Sequence, residues 1–158
     1  MTNETLLIRG MNEHDLGVVM RIELASYSVP WSEATFRGLL RRADAGLIVA
    51  DADDEPVGYA VFWQVLDQGE LGNVAVAPQW RRRGVGRRLV QEVMERARSR
   101  GVRELFLEVR PSNRGARQLY DDLGFKPVGQ RRAYYQAPVE DAVVMRAWLA
   151  AEPHEPFR

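Results

Sequence analysis

The chain has no cysteine, which excludes disulfides, thiol nucleophiles and thiolate metal sites. Histidine is nearly absent as well. His14 and His154 are far apart in sequence, and the second lies in a polar tail. Neither a Ser/His/Asp triad nor a zinc site is expected from so few residues, and no metal is implied. Lysine is reduced to Lys126, every other basic side chain being arginine. No apolar run of signal-peptide type opens the chain, and none approaches the roughly 20 residues that span a bilayer. The expectation is a cytoplasmic protein without membrane contact. No repeat, linker or low-complexity tract interrupts the 158 residues. They read as a single domain over 1–150 followed by a flexible tail at 151–158.

What is present is charge, unevenly placed. Net charge is zero, yet residues 70–132 hold 15 basic and 7 acidic side chains, against 5 and 11 in residues 1–69. An anionic ligand or partner is implied for the middle of the chain. The stretch "QWRRRGVGRRLV" at 79–90 concentrates five of those arginines.

Periodicity divides the chain into strands at 6–9, 46–51, 56–66, 69–77, 103–109, 125–134 and 141–149. Asn12 with Asp15 marks a first helix start, carrying Leu16, Val19 and Met20 on its apolar face. Pro30-Trp31-Ser32 breaks the chain and caps a second helix to about Arg41, with Phe36, Leu39 and Leu40 inward. From Gly84, Val85, Leu89, Val90, Val93, Met94 and Ala97 recur at helical spacing, with Arg88–Glu92 and Glu92–Arg96 as i,i+4 pairs. Ser112 or Asn113 caps a fourth helix bearing Ala116, Leu119, Tyr120 and Leu123. The order β-α-α-β-β-β-α-β-α-β-β predicts a mixed α/β sheet with a βαβ crossover at its middle.

The strand "GNVAVAP", a glycine loop and a helix follow one another directly. A helix N-terminus in that setting holds phosphate through backbone N–H groups and its dipole, and Gly84 and Gly86 offer no side chain in the way. A Walker A loop fails because Arg87 follows Gly86. A dinucleotide fingerprint fails because position 89 is leucine.

Arg81, Arg82, Arg83, Gly84, Val85 and Gly86 fit the pattern Arg/Gln-x-x-Gly-x-Gly/Ala, and "LYDDLGF" follows at 119–125. In that order and spacing the sequence resembles the GCN5-related N-acetyltransferases (GNAT). "PWSEATF" at 30–36, "NVAV" at 73–76, "LEVRPSN" at 107–113, "AYY" at 133–135 and "EDAVVM" at 140–145 carry the likeness over nearly all of residues 6–149. Within the family it is greatest to the members that acetylate the N-terminal alanine of a ribosomal protein.

The resemblance implies the GNAT fold: a twisted, mostly antiparallel sheet of about seven strands, four helices and a central βαβ unit for acetyl-CoA as co-substrate. It implies coenzyme contacts at Val74, Ala75 and Val76 through their backbone, at Arg82, Arg83, Gly84, Val85, Gly86 and Arg87, and at Asn113. It implies an acceptor groove bordered by Trp31, Tyr134 and Tyr135. Making an amide from a thioester requires the amine to lose a proton and the departing thiolate to gain one. By resemblance Glu108 is the base and Tyr120 the acid. On the residues alone, Glu108 also reads as a strand-end acid paired with Arg103 or Arg110, and Tyr120 as a core aromatic.

The acceptor implied is a protein N-terminus or peptide, that of a small-subunit ribosomal protein, met by a monomer or weak dimer. A small amine, or a broad set of protein N-termini, is the alternative. Two departures from the family bear on this choice. The "QAPV" connection is about two residues short, and Ala77 stands where aspartate is common before Pro78. From another class, the arginine cluster admits a nucleic-acid-binding module, but no exposed aromatic platform accompanies it, so direct nucleic-acid binding is not expected.

Overall fold

A computed structural model describes residues 5–150; the tail expected at 151–158 lies outside the described residues. Seven strands form one sheet: β1 (Leu6–Gly10), β2 (Ala45–Ala52), β3 (Glu55–Val65), β4 (Gln68–Val76), β5 (Glu104–Val109), β6 (Lys126–Tyr135) and β7 (Glu140–Trp148). Their spatial order is β1-β2-β3-β4-β5-β7-β6, and every neighbouring pair is antiparallel except β4 with β5. Helices α1 (Leu16–Ser26), α2 (Glu33–Leu40), α3 (Val85–Ser99) and α4 (Arg114–Asp122) complete the expected order. Because β4 and β5 run parallel, their connection must cross the sheet, and α3 is that crossover.

Two apolar cores lie on opposite faces. Leu89, Val90 and Val93 of α3 meet Phe62, Leu71, Leu105 and Leu107 on one face. On the other, Leu16, Val19 and Ile22 of α1 and Phe36 and Leu39 of α2 meet Val49, Tyr59, Val61 and Ala75. The alternation of a strand explains β5: Leu105, Leu107 and Val109 are buried, while Glu104, Phe106 and Glu108 face the α1 side.

Local chemistry modifies two sequence expectations. Asn12 starts not α1 itself but a short 3-10 turn at Glu13–Asp15, its side chain accepting from the His14 N–H. Buried Asp15 bonds both the Asn12 N–H and Arg9, so the chain tightens there before α1 begins at Leu16. Glu92 pairs with Arg96 as expected, but Arg88 reaches the Leu6 carbonyl at 3.2 Å instead of Glu92. A backbone acceptor at the start of β1 is the partner it takes.

One irregularity shapes the centre of the sheet. Ala60 pairs with Val74 but Phe62 with Leu71, so two residues of β4, Gly72 and Asn73, oppose one of β3. Such a bulge bends its strand and turns its side chains over. Leu71 accordingly faces the α3 core and Ala75, four residues on, the α1 core.

Candidate active site

The parallel pairing of β4 with β5 covers only Gln68, Gly69 and Glu70. Beyond the bulge β4 has bent away, which leaves Val74 to Val76 with no strand on that side. Unpaired backbone groups in a fold's interior demand partners. At Val74 both are met by one side chain: the Tyr27 hydroxyl donates to the Val74 carbonyl at 2.8 Å and accepts from its N–H at 3.1 Å. Two residues on, the Val76 carbonyl accepts from Arg81 Nε at 3.0 Å.

The split opens toward the N-terminus of α3. Gly84 caps that helix in the left-handed region, φ 82°, and no side chain caps the first turn. Its leading N–H groups therefore retain their positive end for a ligand. Val85 is buried and anchors the turn, while Gly86 lies over Leu119 and Val76 with room for a Cβ at 3.7 Å. Of the arginines, Arg82 is exposed with φ 63°, Arg83 lies over the Trp80 ring at 4.8 Å, and Arg87 pairs with Asp122 at 3.2 Å. Asn113 rather than Ser112 caps α4, accepting from the Ala116 N–H at 3.2 Å; Ser112 bonds Glu140 instead.

Glu108 stands on the α1 side of β5, its side chain 10% exposed. It pairs with neither Arg103 nor Arg110. Arg131 Nε donates to it at 3.2 Å, and the Glu70 carboxyl of β4 neighbours it. Burial first, then the neighbouring Glu70, push its carboxyl up to about 7, against the pull of Arg131. Arg110 turns the other way, bonding Glu140 and the carbonyls of Gln136 and Pro138, and so fixes the β6–β7 connection. Tyr120 lies on the other side of the split, its ring edge-on to Phe125 at 5.6 Å. Burial pushes its phenol up to about 12, and among the described residues nothing hydrogen-bonds its hydroxyl. Tyr135 lies within electrostatic reach of Glu108, at the mouth of the split.

Aromatic rings line the α1 side of that mouth. Trp31 packs on Trp63 at 6.2 Å and on Phe36 at 5.4 Å. A Cβ on Gly72 would lie 2.6 Å from the Trp63 ring, so glycine is what lets both tryptophans settle on β4. Tyr134 and Tyr135 pack edge to face at 4.9 Å, and Tyr134 feels both Glu70 and Glu108. Beneath them Glu23 is fully buried and collects three donors: Tyr59 Oη, Asn73 Nδ2 at 2.9 Å and the Trp31 N–H at 2.8 Å. Sequence reasoning singles out none of Glu70, Tyr27, Trp63, Glu23 or Asn73. The signal that was available is Gly72-Asn73 inside a strand pattern, the mark of a bulge.

Residues 17–125 match the acetyltransferase (GNAT) family. This chain belongs to the GNAT family. It is 41% identical over 133 residues to the ribosomal protein bS18-alanine N-acetyltransferase of Salmonella typhimurium, covering 83% of this chain and 89% of that one. The corresponding enzyme of Escherichia coli K12 is 35% identical over 140 residues, 87% of this chain and 94% of that one. The crystal structure of the Escherichia coli ribosomal-protein-S18-alanine N-acetyltransferase superposes with a TM-score of 0.88 at 32% identity, covering 98% and 99% of the two chains. The GNAT chain described here is thus an acetyl-CoA-dependent N-acetyltransferase with the expected seven-stranded fold. Its residues fit that co-substrate: an uncapped helix start suits a diphosphate, and the open edge of β4 suits an amide-bearing arm. Among the described residues no helix is long and apolar enough to cross a membrane.

Proposed function

We propose that this GNAT enzyme acetylates a protein N-terminus, that of alanine in ribosomal protein bS18, in the cytoplasm. The observation that carries the reading is the split itself. On one side stands a carboxyl tuned to about 7, on the other a phenol held protonated, with the open edge of β4 between them. An α-amino group has a pKa of about 8, so a base near 7 can take its proton without a large mismatch. Glu108 accepts that proton, directly or through a water. The freed nitrogen bonds the acetyl carbon and the carbon–sulfur bond breaks; Tyr120 gives its proton to the departing sulfur, and the second proton that the nitrogen sheds on becoming an amide passes back to the phenolate. Negative charge building on the acetyl oxygen is met by the Val74 N–H, a fixed backbone donor. The α3 N-terminus with Gly84, Val85 and Gly86 holds the diphosphate, supported by Arg82, Arg83 and Arg87, and Asn113 contributes at the start of α4.

Trp31, Tyr134 and Tyr135 form the acceptor walls, and Trp63 and Glu70 join them. The names of the relatives support alanine and bS18 as the acceptor. Several arginines of the cluster already serve the chain: Arg81 on Val76, Arg87 on Asp122 and Arg88 on Leu6. That favours a loop built around a small anion over a basic comb for nucleic acid.

The test is thiol release from acetyl-CoA with a peptide bearing a free N-terminal alanine, for the wild type and Glu108→Gln. Peptide-dependent release that collapses at least about a hundredfold in the variant is expected, the lower bound of the usual range for a general base. Equal rates on polyamines and on the alanine peptide would defeat the N-terminal reading and favour a small-amine acceptor.

A further inference from the structure

Tyr27 closes α1, its N–H bonding the Glu23 carbonyl at 3.0 Å, and its side chain enters the split. The hydroxyl there makes two bonds to one residue, accepting from the Val74 N–H and donating to the Val74 carbonyl. Val74 stands opposite Ala60 in the β3–β4 ladder, and both of its backbone polar groups are turned to the side that β5 has left. Tyr27 therefore replaces the missing strand at the one residue whose N–H the acyl oxygen needs. Burial pushes the phenol well above its usual range, so it stays neutral and keeps the proton it donates. An amide has a single hydrogen, and a linear bond to the tyrosine oxygen excludes a linear bond to an incoming carbonyl.

We propose that Tyr27 is a positioning residue that latches the acyl site, its hydroxyl holding Val74 until the carbonyl and amide of acetyl-CoA take its place. The proposal rests on the reading that the co-substrate pairs with the open edge of β4. In the free enzyme the latch keeps β4 in its bent course and satisfies groups that would otherwise be buried without partners. On binding, one set of hydrogen bonds is exchanged for another, so part of the coenzyme's affinity is offset by release of the tyrosine.

Tyr27→Phe keeps the ring and removes the hydroxyl. Calorimetric titration with acetyl-CoA is expected to show binding about three- to tenfold tighter than wild type, because a net hydrogen-bond contribution of about 1 kcal/mol no longer opposes it. A dissociation constant that is unchanged means a purely structural hydroxyl, and one that rises means a direct coenzyme ligand; either overturns the latch. A crystal structure of the wild-type enzyme with acetyl-CoA provides the second measurement, independent of how well the variant folds. Acetyl-CoA paired with β4 and the Tyr27 hydroxyl withdrawn from Val74 is expected. Acetyl-CoA on β4 with the hydroxyl still bonded to Val74 overturns the latch alone. Acetyl-CoA bound elsewhere overturns the underlying reading together with it.

Discussion

Two causes lift Glu108 into the neutral range, burial and the Glu70 carboxyl, while Arg131 acts against them. A base must be deprotonated to accept, so with Glu108 as the proposed base the acid limb of kcat/KM is expected to rise with pH through the pKa of that carboxyl. Glu70→Gln removes the like charge that favours the protonated form, and the limb is expected to move to lower pH. Arg131→Leu removes the counter-cation, and the limb is expected to move to higher pH. Profiles of kcat/KM for an N-terminal alanine peptide between about pH 5 and 9 measure both. Limbs that coincide with wild type in both variants would remove Glu108 as the group being titrated. None of this pairing is legible along the chain. Glu70 sits in "DQGELGNVAV" as one polar residue of an alternating strand, and its neighbour is set by the parallel register with residues 104–106. Arg131 lies 23 residues from Glu108, beyond the nearer Arg103 and Arg110 that sequence reasoning offers it. Even the roles of Glu108 and Tyr120 were suggested by family resemblance, because a strand-end acid and a packed tyrosine are commonplace on their own.

Elements were far more legible than partnerships. Hydrophobic period, caps and turn residues place all seven strands and four helices in the right order, since those signals are local. The bulge at Gly72-Asn73 is not legible from the strand period alone, although it bends β4, turns Asn73 onto Glu23 and ends the pairing with β5. The start of α3 is legible in the change of period at Gly84, and it lends itself to a test whose two readouts have opposite signs. A Cβ at Gly86 meets only ordinary contacts, at 3.7 and 3.8 Å, so a small side chain fits. Aspartate there lies in the first turn of an uncapped helix, where a negative charge is favourable by about 0.3–1 kcal/mol. The same charge opposes a diphosphate seated on those N–H groups. Gly86→Asp is therefore expected to leave Tm unchanged or slightly raised while weakening acetyl-CoA binding at least tenfold. Thermal unfolding and titration calorimetry on one sample decide it, and wild-type affinity in a well-folded variant would remove the coenzyme from the α3 N-terminus.

At the scale of the whole molecule, the proposed active site is the place where two well-packed faces of one sheet part. The α3 core and the α1–α2 core are each closed by leucine, valine and phenylalanine, and the split between β4 and β5 holds the groups that neither core would accept. Glu108 shows the cost of that arrangement. Its carboxyl titrates near 4.5 when free and about 7 in the fold, so the folded state binds its proton more tightly. The stability this group contributes is complete below the lower value and is lost as pH rises through the upper one. Above about 7 the fold holds the ionised Glu108 in a half-buried place beside Glu70, with help from Arg131, whose side chain is 59% exposed and whose ion pair is worth little. Glu108→Gln removes that charge and keeps the shape. The variant is expected to melt above wild type at pH 8, each kcal/mol recovered being worth roughly 2–4 °C in a chain of this size. The gap is expected to close as the pH falls through the window from about 7 to 4.5, where the wild-type carboxyl takes up its proton. Melting curves recorded across that window measure the difference directly. A variant that is less stable than wild type at pH 8, or a gap that does not change with pH, would mean that Glu108 sits comfortably ionised and that its tuning by Glu70 is not present in solution.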